Sequence, residues 1–130
     1  MASIFTKIIN GEIPSYKVAE DENYYAFLDI NPLQKGHTLV IPKKETDYLF
    51  DLADDDLAGL ILFAKKVAKG IDKSISCQRV GVAVLGLDVA HAHVHLVPLN
   101  SGNDINFSSP KKQFTTEEMK ECAQSISVHI

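Results

Sequence analysis

The chain has 130 residues, 45% of them hydrophobic, and a formal net charge of −4. That is enough for one compact unit with a real core and too little for two, so residues 1–130 are expected to form a single domain. The acidic balance, with no long basic run, argues against a nucleic-acid polymer as partner, and no apolar run reaches membrane-spanning length.

Ser3 stands where a cap would start a short helix through Ile4, Phe5, Ile8 and Ile9, and Gly11 ends it. The first residues lack a charged segment followed by an apolar one, so no secretion signal is expected there. Two strands, Tyr16 to Glu20 and Tyr24 to Leu28, flank the polar turn Asp21-Glu22-Asn23. Asp29 to Gly36 reads as a loop, marked by Asn31-Pro32 and Gly36. His37 to Ile41 is a third strand, closed by Pro42. Leu49, Phe50 and Leu52 mark a short inward-packing turn.

Asp54 is expected to cap the main helix, with Leu57, Leu60, Ile61, Ala64 and Val67 at helical spacing and Gly70 at its end. Arg79 to Leu85 and His91 to Val97 are the fourth and fifth strands, joined by Gly86 to Ala90 in a hairpin. After a polar loop from Leu99 to Gln113, Thr115 and Glu118 form a capping box that starts a last helix from Thr116 to about Ser125. The pattern predicts an α+β fold with a roughly five-stranded antiparallel sheet. Cys77 and Cys122 lie far apart and form no disulfide framework; they read as a core thiol and a helix-borne thiol of a chain kept in the reducing cytoplasm.

Chemistry concentrates in His91-Ala92-His93-Val94-His95-Leu96-Val97. On a strand, side chains alternate between faces, so His91, His93 and His95 point one way while Ala92, Val94 and Leu96 point to the core. Three imidazoles on one ridge can hold a zinc ion. They can equally attack a phosphorus and hold its oxygens. Asp88 is the only carboxylate close by, which is thin support for a metal. The N-terminal half supplies apolar side chains, a strand ending in Asp29-Ile30, and His37 at the start of the next strand. That combination suits a nucleoside: apolar walls for a base, a carboxylate for ribose hydroxyls, and histidines for phosphate.

The triad segment resembles the His-φ-His-φ-His-φ-φ signature of the histidine triad (HIT) family of nucleotide-binding hydrolases and transferases. Ile4-Phe5-x-Lys7-Ile8-Ile9-x-x-Glu12-Ile13-Pro14 resembles that family's N-terminal segment. Phe27-Leu28-Asp29-Ile30-Asn31-Pro32, followed by Gly36-His37-x-Leu39-Val40-Ile41-Pro42-Lys43-Lys44, resembles its central strands. The resemblance implies a HIT-like fold and a hydrolase that cleaves a purine nucleoside phosphoramidate or phosphoanhydride at the α-phosphorus. His93 would be the nucleophile, His95 would bind a non-bridging oxygen and help the leaving group, and His91 and His37 would orient and relay protons. Asp29 would accept from ribose hydroxyls, and Ile4, Phe5, Ile8, Phe27 and Ile30 would line the base pocket, with Asp88 and Val89 counted among the nucleotide-binding residues. The family also implies a homodimer that uses the main helix and a sheet edge, and it needs no cofactor or metal.

The loop before the triad departs from the family pattern. Many members carry Asn-x-Gly and Gly-Gln-Ser/Thr there, whereas this chain has a shorter passage through Leu85-Gly86-Leu87-Asp88-Val89-Ala90. That change keeps open a second reading, a nucleotide-binding regulatory protein with little turnover. A zinc-dependent enzyme, favoured only by the imidazole ridge, is a third.

Overall fold

The computed structural model of the protein describes residues 2–130. Helix α1 spans Ile4–Ile9, followed by strands β1 (Lys17–Glu20), β2 (Tyr24–Leu28) and β3 (Thr38–Pro42). A single 3-10 turn over Leu49–Asp51 leads into the long helix α2 (Asp54–Ser74). Strands β4 (Arg79–Ala83) and β5 (Val94–Leu99), a second 3-10 turn (Gly102–Ile105) and helix α3 (Thr116–Ser127) complete the chain. The five strands form one antiparallel sheet in the order β1-β2-β3-β5-β4. This is the α+β arrangement that the strand and helix patterns predict.

The two faces of the sheet carry two apolar clusters. On one face Val18, Tyr24, Ala26, Leu28, Val40, Val94 and Leu96 pack against α2 and α3. On the other, Tyr25, Phe27, Leu39 and Ile41 pack with Phe5 of α1. Successive strand residues therefore feed opposite clusters, as the pleat demands. On β5, Val94 and Leu96 belong to the helical face, which turns His95 to the other. Among the described residues no helix is long and apolar enough to cross a membrane.

Helix ends follow local chemistry. Ser3 caps α1 by accepting from the Thr6 N–H, and Gly11 adopts φ +79° just beyond it. Thr115 and Glu118 form the expected reciprocal capping box of α3.

Several boundaries differ from the sequence reading. The N-cap of α2 is Ala53, and Asp54, Asp55 and Asp56 occupy the first turn, where their charge favours the helix dipole. Gly70 does not end α2. A Cβ there would lie 2.8 Å from Ile130 and 3.1 Å from the Ile126 carbonyl, so Gly70 allows α3 to approach closely. Strand β5 begins at Val94 rather than His91, because the Ala92 N–H donates to the Thr46 carbonyl instead of joining a ladder. Strand β4 stops at Ala83, which leaves residues 84–93 as a longer connection than the expected hairpin turn. Cys77 is half-buried rather than a core thiol, while Cys122 is buried in the helical cluster.

Candidate active site

The three histidines of the triad and His37 share one region. His91 and His93 lie in the extended approach to β5, and His95 pairs with Leu39 of β3 and Ala83 of β4. The rings of His93 and His95 meet edge-on at 5.0 Å, and those of His37 and His95 are tilted at 5.2 Å. The predicted alternation therefore holds, although its first residues precede the strand proper. His37 and His91 are sealed at 1% and 0% exposure, whereas His93 and His95 keep 6% and 7%. The last two therefore keep a narrow edge open to solvent.

Hydrogen-bond partners decide where the imidazole protons sit. His91 Nε2 faces the Pro42 carbonyl at 2.8 Å, so it carries the proton and donates, and Nδ1 accepts from the Ser3 hydroxyl at 2.7 Å. His93 Nδ1 donates to the His91 carbonyl at 2.8 Å, which leaves the lone pair of Nε2 unengaged. The Leu33 N–H donates to His37 Nδ1 at 3.0 Å, so the His37 proton must be on Nε2. That proton is donated to His95 Nδ1 at 2.9 Å, and His95 therefore presents Nε2–H. The ridge thus offers one nucleophilic nitrogen beside one hydrogen-bond donor.

Burial keeps the supporting rings neutral. Desolvation, aided by the neighbouring His95, depresses His37 to about 3, and desolvation with His93 nearby depresses His95 to about 4. His91 is likewise lowered by burial, against the pull of its bond to Pro42 and of Glu45. Burial pushes Asp29 above the usual carboxylate range, opposed by the Asn31 N–H that it accepts at 2.8 Å. Asp29 therefore caps its own turn with one oxygen, and the other lies 3.7 Å from His37 Nε2.

Asp29, His37 and His95 each bring one possible ligand atom within 4.8 Å of the others. The proton pattern suits a metal poorly. Metal at His37 Nε2 would displace the proton held there, while Nδ1 is already committed to the Leu33 N–H. The residue would have to become an imidazolate or surrender that bond.

Around the imidazoles, Phe5 packs edge-on against Phe27 at 5.5 Å, His91 at 5.8 Å and His93 at 5.1 Å. Ile8 and Val89 pack against the same cluster. Ile4 and Ile30 stand outside it, 50% and 71% exposed. Asp88 is exposed, and its charge is felt at His95. A separate cleft of about 380 Å³ reaches Asp29 and His37 from the side of α3, lined also by Lys35, Phe114 and Met119.

Sequence reasoning missed several participants. Phe107, in the loop after β5, sets its ring 4.8 Å from His95 and 6.3 Å from His37. Its position in a polar loop gave no periodic signal. Ser3 was legible only as a helix cap, and Glu45, which accepts from the Ser3 N–H at 2.6 Å and the Thr6 hydroxyl at 2.7 Å, only as part of a polar run. The Leu33 contribution is a backbone group, to which side-chain identity is indifferent.

The family model described as "HIT domain" matches residues 10–102. The chain belongs to the HIT family. An uncharacterised HIT-like protein of Borreliella burgdorferi is 37% identical, the match covering 98% of this chain and 97% of that one. A HIT relative in Schizosaccharomyces pombe, named adenosine 5'-monophosphoramidase, is 35% identical over 100% of this chain and 99% of its own. Among solved structures, a HIT-like protein from Bartonella henselae superposes with a TM-score of 0.86 at 34% identity, covering 98% of this chain and 96% of that one.

Proposed function

We propose that this HIT protein hydrolyses a purine nucleoside phosphoramidate or phosphoanhydride at the α-phosphorus through a nucleotidyl-His93 intermediate. The observation that carries the reading is the hydrogen bond from His93 Nδ1 to the His91 carbonyl. It fixes the tautomer whose other nitrogen is a free nucleophile.

Nε2 of His93 attacks the phosphorus, and the bond to the leaving amine or phosphate breaks. In the free protein His95 is neutral, and its Nε2–H serves as a donor to a non-bridging oxygen. A proton taken up from the solvent accompanies the leaving group, while His95 keeps its Nε2–H on the non-bridging oxygen because its Nδ1 is occupied by the His37 Nε2–H. Water then attacks the phosphorus and releases its proton to the solvent. The P–N bond to His93 breaks, its electron pair returns to Nε2, and the nucleoside monophosphate departs. The unengaged oxygen of Asp29 accepts from the ribose. Phe5, Phe27, Ile8 and Val89 form the base wall, with Ile4, Ile30 and Asp88 at its exposed rim. His91 and His37 hold tautomers rather than carry protons, since each has both nitrogens committed.

Release of AMP from adenosine 5'-phosphoramidate tests this. Turnover should resist a chelator and fall roughly a thousandfold or more in His93→Ala. Turnover that survives in His93→Ala, or that stops with a chelator, overturns it.

The loop before the triad favours a binding protein with little turnover: Leu87 is 86% exposed, and Asp88 is an exposed carboxylate whose charge is felt at His95. Nucleotide binding without AMP release would select that reading.

We also propose a homodimer. Strand β4 is a sheet edge with Val82 61% exposed, and α2 leaves Ile61 and Leu62 exposed. Sedimentation at twice the monomer mass, reduced to monomer by Val82→Lys, tests it; a monomeric parent chain excludes it.

A further inference from the structure

Ser3 reads in the sequence as a helix cap and nothing more. A capping hydroxyl acts as an acceptor, and Ser3 Oγ does accept from the Thr6 N–H at 3.0 Å. The same oxygen lies 2.7 Å from His91 Nδ1, 88 positions away in the chain. Because His91 Nε2 has to donate to the Pro42 carbonyl, Nδ1 offers a lone pair and the Ser3 hydroxyl must give its proton there. The imidazole end of this bond is sealed, since His91 has 0% exposure, and the Ser3 end is half-buried.

His91 in turn carries the carbonyl that holds His93 Nδ1–H. Three restraints fix this short segment: Ser3 on one ring nitrogen, Pro42 on the other, and the Thr46 carbonyl on the Ala92 N–H. Pro42 closes β3, Thr46 lies in the passage after it, and Ser3 is the cap of α1. Glu45, in that same passage, accepts from the Ser3 N–H and the Thr6 hydroxyl and so ties the start of α1 to it.

We infer that Ser3 is a positioning residue for the nucleophile: its hydroxyl locks the His91 tautomer and orientation, and the His91 carbonyl then holds His93 with Nε2 free. This rests on the reaction proposed above for its kinetic consequence, though not for its structural one. It also joins the base wall to the chemistry. Phe5, two residues on, packs against both His91 and His93, so whatever moves the start of α1 disturbs the nucleophile as well. Without the hydroxyl, the next oxygen is Thr6 Oγ1 at 3.5 Å, too far for a good bond. The buried Nδ1 is then left without a partner, and the alternative tautomer, which abandons the Pro42 carbonyl, becomes competitive.

The test separates capping from donation. Glycine caps a helix nearly as well as serine but has no hydroxyl, whereas threonine keeps both functions. Imidazole 15N–1H spectra of the whole protein report tautomers directly. In the parent chain, His91 is expected as the Nε2–H form and His93 as the Nδ1–H form. Ser3→Gly should show His91 in mixed tautomers and lower kcat with adenosine 5'-phosphoramidate roughly 10- to 100-fold, with KM little changed. Ser3→Thr should restore both. A single native tautomer at His91 in Ser3→Gly overturns the inference. So does a rise in KM alone, which would reduce Ser3 to shaping the base wall. If the parent chain shows no turnover, the reaction falls, and the spectra alone decide the role of Ser3.

Discussion

Nε2 of His37 and Nδ1 of His95 meet at 2.9 Å, and the bond between them has only one polarity. The Leu33 N–H occupies the other nitrogen of His37, so His37 donates and His95 turns its own N–H toward the reacting centre. His37→Ala removes that donor and frees His95 to adopt either tautomer. A fall in kcat of roughly 10- to 100-fold is expected, and His37→Gln, whose amide can still donate, should recover part of it. Steady-state kinetics on both variants checks this; equal activities for the two would contradict the donor role.

The same burial makes stability depend on pH. His37 at about 3 and His95 at about 4 lie well below the ordinary 6.5, so the unfolded chain takes up protons that the folded one refuses. Their contribution is complete above the unfolded value and is lost as pH falls from about 6.5 toward 4. The slope is up to about 1.4 kcal/mol per pH unit for each histidine. Asp29, raised by burial, offsets part of the loss at the acid end. Urea unfolding at pH 7 and pH 5 should show a clear drop in midpoint, reduced in His37→Gln. A midpoint unchanged between the two would contradict the buried, neutral state.

Core and pocket roles separate at Phe5 and Ile30. Phe5 is 7% exposed and touches Phe27, His91 and His93, so Phe5→Ala should cost about 3 kcal/mol of stability as well as activity. Ile30 is 71% exposed, and Ile30→Ala should change stability by less than about 0.5 kcal/mol. It should still raise KM if Ile30 closes over a base. Urea titrations paired with kinetics check both; an unaltered KM removes Ile30 from the pocket.

Helix α2 is held to the sheet by a contact that leaves no room for a methyl group. A Cβ on Gly59 would fall 1.9 Å from the Tyr24 hydroxyl, which donates to the Asp56 carbonyl at 3.1 Å. Gly59→Ala gains helix propensity of about 1 kcal/mol, yet net destabilisation of about 1–3 kcal/mol is expected from overpacking. Combining it with Tyr24→Phe should lessen the penalty, because the hydroxyl is the nearest obstruction. Thermal unfolding of the single and double variants measures this, and a stabilised Gly59→Ala would contradict it.

The sequence is most legible where one residue speaks for one local geometry. Thr115 with Glu118 declares a capping box, and His91-Ala92-His93-Val94-His95 declares alternate faces. It is silent where partners meet across the fold. Gly70 looks like a helix stop because its real reason, the Ile126 carbonyl beside it, lies on another helix. His91 looks like a proton relay on a reactive ridge, yet both its nitrogens are committed to Ser3 and Pro42. The histidine letters locate the chemistry, but the protons are set by three partners without sequence signatures: the Leu33 amide, the Pro42 carbonyl and the His91 carbonyl.

The most direct test is to trap the intermediate. His95→Asn should slow its breakdown, so brief mixing with adenosine 5'-phosphoramidate and an alkaline quench should leave one adenylyl group on the protein. In the tryptic peptide covering residues 80–111, fragmentation should place that group on His93. An adduct on another residue, or steady AMP release with no adduct and no dependence on His93, would contradict the account.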